Sequence, residues 1–160
     1  MGIEKILPLE SAFRLVDQLK ARGKRVVFTN GCFDLVHPGH TRYLAEARAM
    51  GDVLIVAVNS DRSVAAIKGA GRPIFPERER AEILAAMEMV DFVTIFDDLS
   101  SLGIIARILP HVLVKGGDWG LDGIVGRAEV EASGGRVVAI PMSPGFSTSS
   151  LINAVLRESK

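Results

Sequence analysis

Val53-Leu54-Ile55-Val56-Ala57-Val58 runs through six apolar residues with nothing polar interposed. A strand with one wet face alternates, so a solid apolar run marks a strand covered on both faces, as in a parallel sheet flanked by helices. Working outward, residues 25–29 form a similar strand upstream, and Phe92–Phe96, residues 112–115 and Arg136–Ile140 form three more downstream. Between them the period turns helical. Leu9, Ala12, Phe13, Val16 and Leu19 make a stripe that stops at Gly23, and residues 40–50 make another that stops at Gly51. Residues 76–89, 102–109, 124–133 and 149–156 supply further helices. Strict alternation of strand and helix predicts an α/β fold, a mainly five-stranded parallel sheet, doubly wound with helices on both faces. No repeat, low-complexity tract or linker interrupts it, so one domain is expected over residues 1–160.

Composition narrows the function classes. The chain has 160 residues, 19 basic and 19 acidic side chains, and is 48% hydrophobic. That balance excludes disorder, which needs low hydrophobicity and high net charge. It lacks the basic excess of a nucleic-acid binder. One cysteine makes no internal disulfide and suits a reducing, cytoplasmic compartment. Glu4, Lys5, Glu10 and Arg14 break any signal-peptide core, and no apolar run approaches the ~20 residues of a membrane span. Neither nucleic acid nor membrane is an expected partner.

In a doubly wound sheet the ligand lies beyond the carboxyl ends of the strands. Neither the P-loop pattern nor the dinucleotide glycine fingerprint is present there. Instead, the first strand leads into Asn30-Gly31-Cys32-Phe33-Asp34-Leu35-Val36-His37-Pro38-Gly39-His40. Pro38 suits the first position of a helix. His37 and His40 can therefore point to one side of a helix N-terminus, where free N–H groups already favour phosphate. Two imidazoles there form a phosphoryl clamp. Their spacing is not that of a helical zinc motif, and no metal-ligating set is expected. His111, alone beside Pro110, reads as structural.

The segment Gly31–His40 resembles the signature of the HxGH nucleotidyltransferases, the cytidylyltransferase-like superfamily. Ala57-Val58-Asn59-Ser60-Asp61, Lys68-Gly69, Gly71-Arg72-Pro73-Ile74, Val114-Lys115-Gly116-Gly117-Asp118 and Phe146-Ser147-Thr148-Ser149 are similar to the branch that makes ADP-heptose from ATP and D-glycero-β-D-manno-heptose 1-phosphate. The resemblance runs from about Val26 to Leu156. It implies a Rossmann-like fold, transfer of AMP with release of pyrophosphate, and a place in lipopolysaccharide inner-core synthesis. It also implies Mg²⁺ held mainly by phosphates, a homodimer, and a separate heptose kinase upstream. A glycerol-3-phosphate or other polyol-phosphate cytidylyltransferase is the alternative within the superfamily. A non-catalytic nucleotide-binding module is the alternative outside it.

The resemblance implies His37, His40 and Lys115 as catalytic. It puts Asn30, Gly31, Cys32, Phe33, Gly39, Arg80, Gly117, Asp118, Trp119, Ser147, Thr148 and Ser149 on the nucleotide. Asp34, Asn59, Lys68 and Arg72 fall on the sugar phosphate. The residues themselves leave alternatives. Cys32 reads better as a packed thiol than as a nucleophile. Lys68 and Arg72, in a glycine-containing loop, are either phosphate contacts or solvated cations. Asp34 either meets the sugar phosphate or braces its loop, and Trp119 either stacks on a ring or lids the core. Arg80 sits where a helix dipole disfavours cations and has no good partner at i+4, which favours an anionic ligand. Ser147 to Ser150 offer more hydroxyls than one N-cap needs, suggesting a second phosphate cradle.

Overall fold

The computed structural model describes residues 2–117, 120–141 and 144–158. Six parallel strands form one sheet: β1 (Ile6–Leu7), β2 (Val26–Gly31), β3 (Val53–Asn59), β4 (Phe92–Phe96), β5 (Val112–Gly116) and β6 (Arg136–Ile140), in the order β1-β4-β3-β2-β5-β6. The helices are α1 (Leu9–Ala21), α2 (Pro38–Arg48), α3 (Asp61–Lys68), α4 (Glu77–Ala85), α5 (Leu102–Ile108), α6 (Arg127–Ala132) and α7 (Thr148–Glu158).

Strand period explains the two cores. Val27, Leu54, Val56 and Val58 face one side and pack with Leu44 and Ala47 of α2 and Leu84 of α4. Val26, Phe28, Ile55 and Ala57 face the other and pack with Val16 of α1, Ile104, Ile105 and Ile108 of α5, and Val130 of α6. Both faces are apolar, which is why the strands read as solid runs.

The sheet has six strands rather than five. β1 is only two residues long, too short to show a period, and is held at the edge by Ile6 opposite Val93 and Leu7 opposite Thr94. The other omission is α3. Its segment reads as loop because it is short and followed by glycines, yet Ser60 caps it by accepting from the Ser63 N–H at 3.1 Å. Lys68 is thus the last residue of a helix, not a loop residue. α2 begins at Pro38, two residues before the periodic stripe, because proline occupies its first position.

Chain order runs outward from β2 through β3 and β4 on one side, and from β5 to β6 on the other. The switch point lies between β2 and β5. Their ladder holds only Val27 opposite Val112 and Phe28 opposite Leu113, whereas β2 stays paired with β3 as far as Gly31 opposite Val58. Past Phe28 the two strands part, and the crevice opens there.

Candidate active site

The loop leaving β2 turns back under α2, with Phe33 at a left-handed φ of 48° and its ring buried. Strain of that kind persists only where the surroundings over-determine it. Here three long-range contacts do so. The Asp34 carboxylate is buried and accepts from Arg72 Nε (2.6 Å) and from the N–H groups of Ile74 (2.7 Å) and Phe75 (3.2 Å). Arg80, with no exposed side-chain surface, donates to the carbonyls of Cys32 (2.6 Å) and Phe75 (2.9 Å) and to Asp61 (2.8 Å). Thr148 donates to the Leu35 carbonyl at 3.3 Å.

Three of the expected ligand residues hold contacts within the fold. Arg80 is enclosed by the fold, and its charge is met by Asp61 from the start of α3, a partner no local spacing reveals, while its guanidinium braces the Cys32 loop. Asp34 braces its loop through these contacts and also lines the cleft described below. Asn59 is buried at the end of β3 and donates to Ser63 Oγ at 2.8 Å, which ties it to α3.

His37 is the N-cap of α2, extended at φ −139° and ψ 169°, and only 4% exposed. Its ring centroid lies 3.9 Å from that of His40 and 6.1 Å from Phe146, on which it stacks. The His37 N–H donates to His40 Nδ1 at 3.3 Å, which assigns the proton of a neutral His40 ring to Nε2. Nδ1 of His37 is buried without a hydrogen-bond partner. Burial, and then the nearness of His37, holds the His40 pKa down at about 4; burial also lowers that of His37. Both rings are therefore neutral near pH 7. They meet an anion as oriented dipoles beside the N–H groups of a helix start.

A cleft of about 340 Å³ brings together Cys32, Phe33, Asp34, His37, His40, Lys68, Arg72, Gly116 and Ser147 to Ser149. Ser147 caps α7, accepting from the Ser150 N–H at 3.0 Å. Ser149 remains on the cleft wall. Arg72 keeps 18% of its side chain exposed beside Asp34. The Cys32 thiol is pushed up by burial, which suits packing and not attack.

Asn30, Gly31 and Gly116 continue the cleft into an adjoining pocket of about 280 Å³ with Lys115, Ser101 and Ile124. Lys115 Nζ donates to Asn30 Oδ1 across the parted strands, and burial lowers its pKa to about 8. Gly117 follows at φ 127°, its N–H donating to the Ile140 carbonyl at 2.9 Å. Asp118 and Trp119 lie outside the described residues. His111, as expected, is structural: its Nδ1 accepts from the Val26 N–H at 3.0 Å.

Sequence reasoning gave no role to Phe146, although an aromatic directly before a hydroxyl run was visible. It had no signal for Tyr43. Among the described residues no group of three or more His, Cys, Asp or Glu could hold a metal ion, and no helix is long and apolar enough to cross a membrane.

A parallel sheet that opens at its switch point onto a paired-histidine helix start is the architecture of a nucleotidyltransferase. The family model described as cytidylyltransferase-like matches residues 28–154, and the chain belongs to that family. It is 51% identical over 142 residues to the bifunctional protein HldE of Pelobacter propionicus, covering 89% of this chain and 29% of that protein. It is 47% identical over 156 residues to HldE of Geobacter sulfurreducens, covering 98% and 32%. The chain thus spans about a third of these relatives. A lipopolysaccharide core biosynthesis protein from Thermoplasma volcanium superposes with a TM-score of 0.62 at 27% identity, covering 76% of this chain and 98% of that one. A pantoate-β-alanine ligase from Francisella tularensis shares the fold, with a TM-score of 0.59 at 12% identity over 95% of this chain and 78% of its own.

Proposed function

We propose that the chain transfers the adenylyl group of ATP to D-glycero-β-D-manno-heptose 1-phosphate, giving ADP-heptose and pyrophosphate for lipopolysaccharide inner-core synthesis. The carrying observation is the neutral imidazole pair at the start of α2, facing Lys68, Arg72 and the Ser147–Ser149 hydroxyls across one cleft. Such a cleft is a receptor for several phosphates grouped around one reacting phosphorus. The relatives at about half identity and the lipopolysaccharide protein of similar structure agree with that substrate class.

In the reaction, an oxygen of the sugar phosphate attacks the α-phosphorus, the bond from that phosphorus to the bridging oxygen breaks, and pyrophosphate leaves with the electron pair. A phosphate nucleophile has no proton to lose, so catalysis is positioning and charge stabilisation. His40 donates through Nε2–H to the α-phosphate, His37 lies against the same group, and Lys115 meets the developing charge from the crevice floor. Lys68 and Arg72 receive the sugar phosphate, while Asn30 to Phe33, Gly39, Gly117 and the Ser147–Ser149 cradle receive the nucleotide. Mg²⁺ would supply further charge neutralisation, held mainly by phosphates and water.

The fold acts as a transfer domain in the cytoplasm, and a kinase reaction on the heptose supplies the 1-phosphate. A homodimer is the proposed assembly: α7 leaves Leu151, Val155 and Leu156 exposed, an apolar strip suited to a second copy.

Pyrophosphate release tests the reading, with ATP and CTP each offered against sugar 1-phosphates and glycerol 3-phosphate. Heptose β-1-phosphate with ATP is expected to exceed glycerol 3-phosphate with CTP by more than ~100-fold in kcat/KM, about 2.7 kcal/mol. Equal or reversed rates assign the chain to the cytidylyltransferase branch. Nucleotide binding without turnover of any acceptor makes it a binding module.

A further inference from the structure

Thr29 and Val114 are the first residue pair beyond the last rung between β2 and β5. The hydroxyl of Tyr43, from α2, stands between them. It hydrogen-bonds Thr29 Oγ1, donates to the Val114 carbonyl at 3.4 Å, and interacts with the backbone of Gly116. A phenol has one proton and accepts at its oxygen. With that proton on Val114, Thr29 must donate to Tyr43, and Gly116 can contribute only its N–H.

Tyr43 is 5% exposed and Thr29 fully buried. One residue further along, on the opposite face of the sheet, the parted strands are joined once more, by Lys115 Nζ on Asn30 Oδ1. Tyr43 also follows His40 by one turn of α2. Beyond the end of the backbone ladder, the Tyr43 hydroxyl thus adds a polar tie between the helix carrying both histidines and the strand carrying Lys115.

We infer that Tyr43 is a positioning residue: its hydroxyl sets the distance between the histidine pair on α2 and Lys115 on β5, and acts on the reaction through Lys115. A ring filling space would need no hydroxyl, and a simple strand clip would need no link to α2. The inference rests on the adenylyl transfer proposed above, and its test separates the two.

Tyr43→Phe keeps the ring and removes the bridge; Thr29→Val removes one donor and serves as the second variant if the first folds poorly. In pyrophosphate release, Tyr43→Phe is expected to lower kcat by ~30-fold while KM for ATP and for the acceptor stays within ~3-fold, because misplacement is felt in the transition state. In a Lys115→Met background the same change should cost less than ~3-fold, the non-additivity of residues that act as a unit. A kcat within ~3-fold of wild type, a loss confined to KM, or an equal loss in both backgrounds overturns the inference while leaving the reaction standing. Amide hydrogen exchange, read without substrates, decides the bridge independently of turnover. Gly116 should exchange at least ~10-fold faster in Tyr43→Phe, with Leu113 unchanged; unaltered Gly116 exchange overturns the inference. A wild-type chain silent with every acceptor overturns the proposed reaction alone.

Discussion

The Cβ that Gly39 lacks would stand 2.9 Å from both Cε1 and Nδ1 of the His37 ring, and 3.3 Å from Cβ of Phe146. The glycine between the two histidines is therefore the space in which the first imidazole lies. Gly39→Ala should push that ring aside without unfolding the helix, since what gives way is a side chain. The expected outcome is a kcat/KM lowered by ~100-fold, the usual cost of a displacement of about 1 Å at a reacting centre. The thermal midpoint should move by no more than about 4 °C, roughly 1 kcal/mol at this size. A variant with wild-type turnover would remove the need for a fixed His37.

Alanine at His37 or at His40 should lower kcat by at least ~100-fold, the scale of losing one transition-state donor. The pair differs from ordinary surface histidines in its pH response. The His40 pKa is lowered from 6.5 to about 4 in the fold, so between those values the unfolded chain binds a proton that the native state refuses. Its share of stability is whole above pH 6.5 and is lost as the pH falls toward 4. Melting curves from pH 7 to 4 should show the midpoint falling more steeply in the wild type than in His40→Ala. Parallel curves would show that the ring is not held neutral.

Much of this was legible in the chain because its information is local. Solid apolar runs declare strands covered on both faces, and Pro38 between the histidines declares a helix start at a strand's carboxyl end. β1 was not legible, since two residues carry no period. Nor was the fate of Arg80, Asp34 or Lys115. Local rules see partners at i+3 and i+4, whereas these side chains meet Asp61, Arg72 and Asn30 across the fold. To those rules a buried charge with a long-range partner looks, in sequence, like one awaiting a ligand.

The Asp34–Arg72 pair lends itself to a direct check of bracing. Asp34 has 1% of its side chain exposed and Arg72 18%, and two backbone N–H groups also point at the carboxylate. Asp34→Asn preserves shape but leaves the guanidinium without its counter-charge. Breaking such a pair from one side should cost about 2–4 kcal/mol, read as a denaturation midpoint shifted without a change in m. If Asp34 instead contacted the sugar, stability would hold and KM for the sugar phosphate alone would rise.

Lys115 makes the sharpest case, because stability and activity should move in opposite directions. Burial lowers its pKa from 10.5 to about 8, so at pH 7 the native state carries a charge it would rather shed. Between pH 8 and 10.5 the unfolded chain holds a proton that the native state releases, and stability from this group recovers as the pH rises through that window. Lys115→Met removes the charge and keeps the bulk. It should therefore raise the thermal midpoint at pH 7, while lowering kcat/KM by ~100-fold or more through loss of a phosphate cation. In the wild type, kcat/KM should fall above about pH 8 as free enzyme loses this proton, whereas kcat should decline only at higher pH, where bound phosphates hold the ammonium charged. The methionine variant should lack the kcat/KM limb near pH 8. A variant that is both less stable and fully active would make Lys115 a structural residue and leave the crevice floor without its cation.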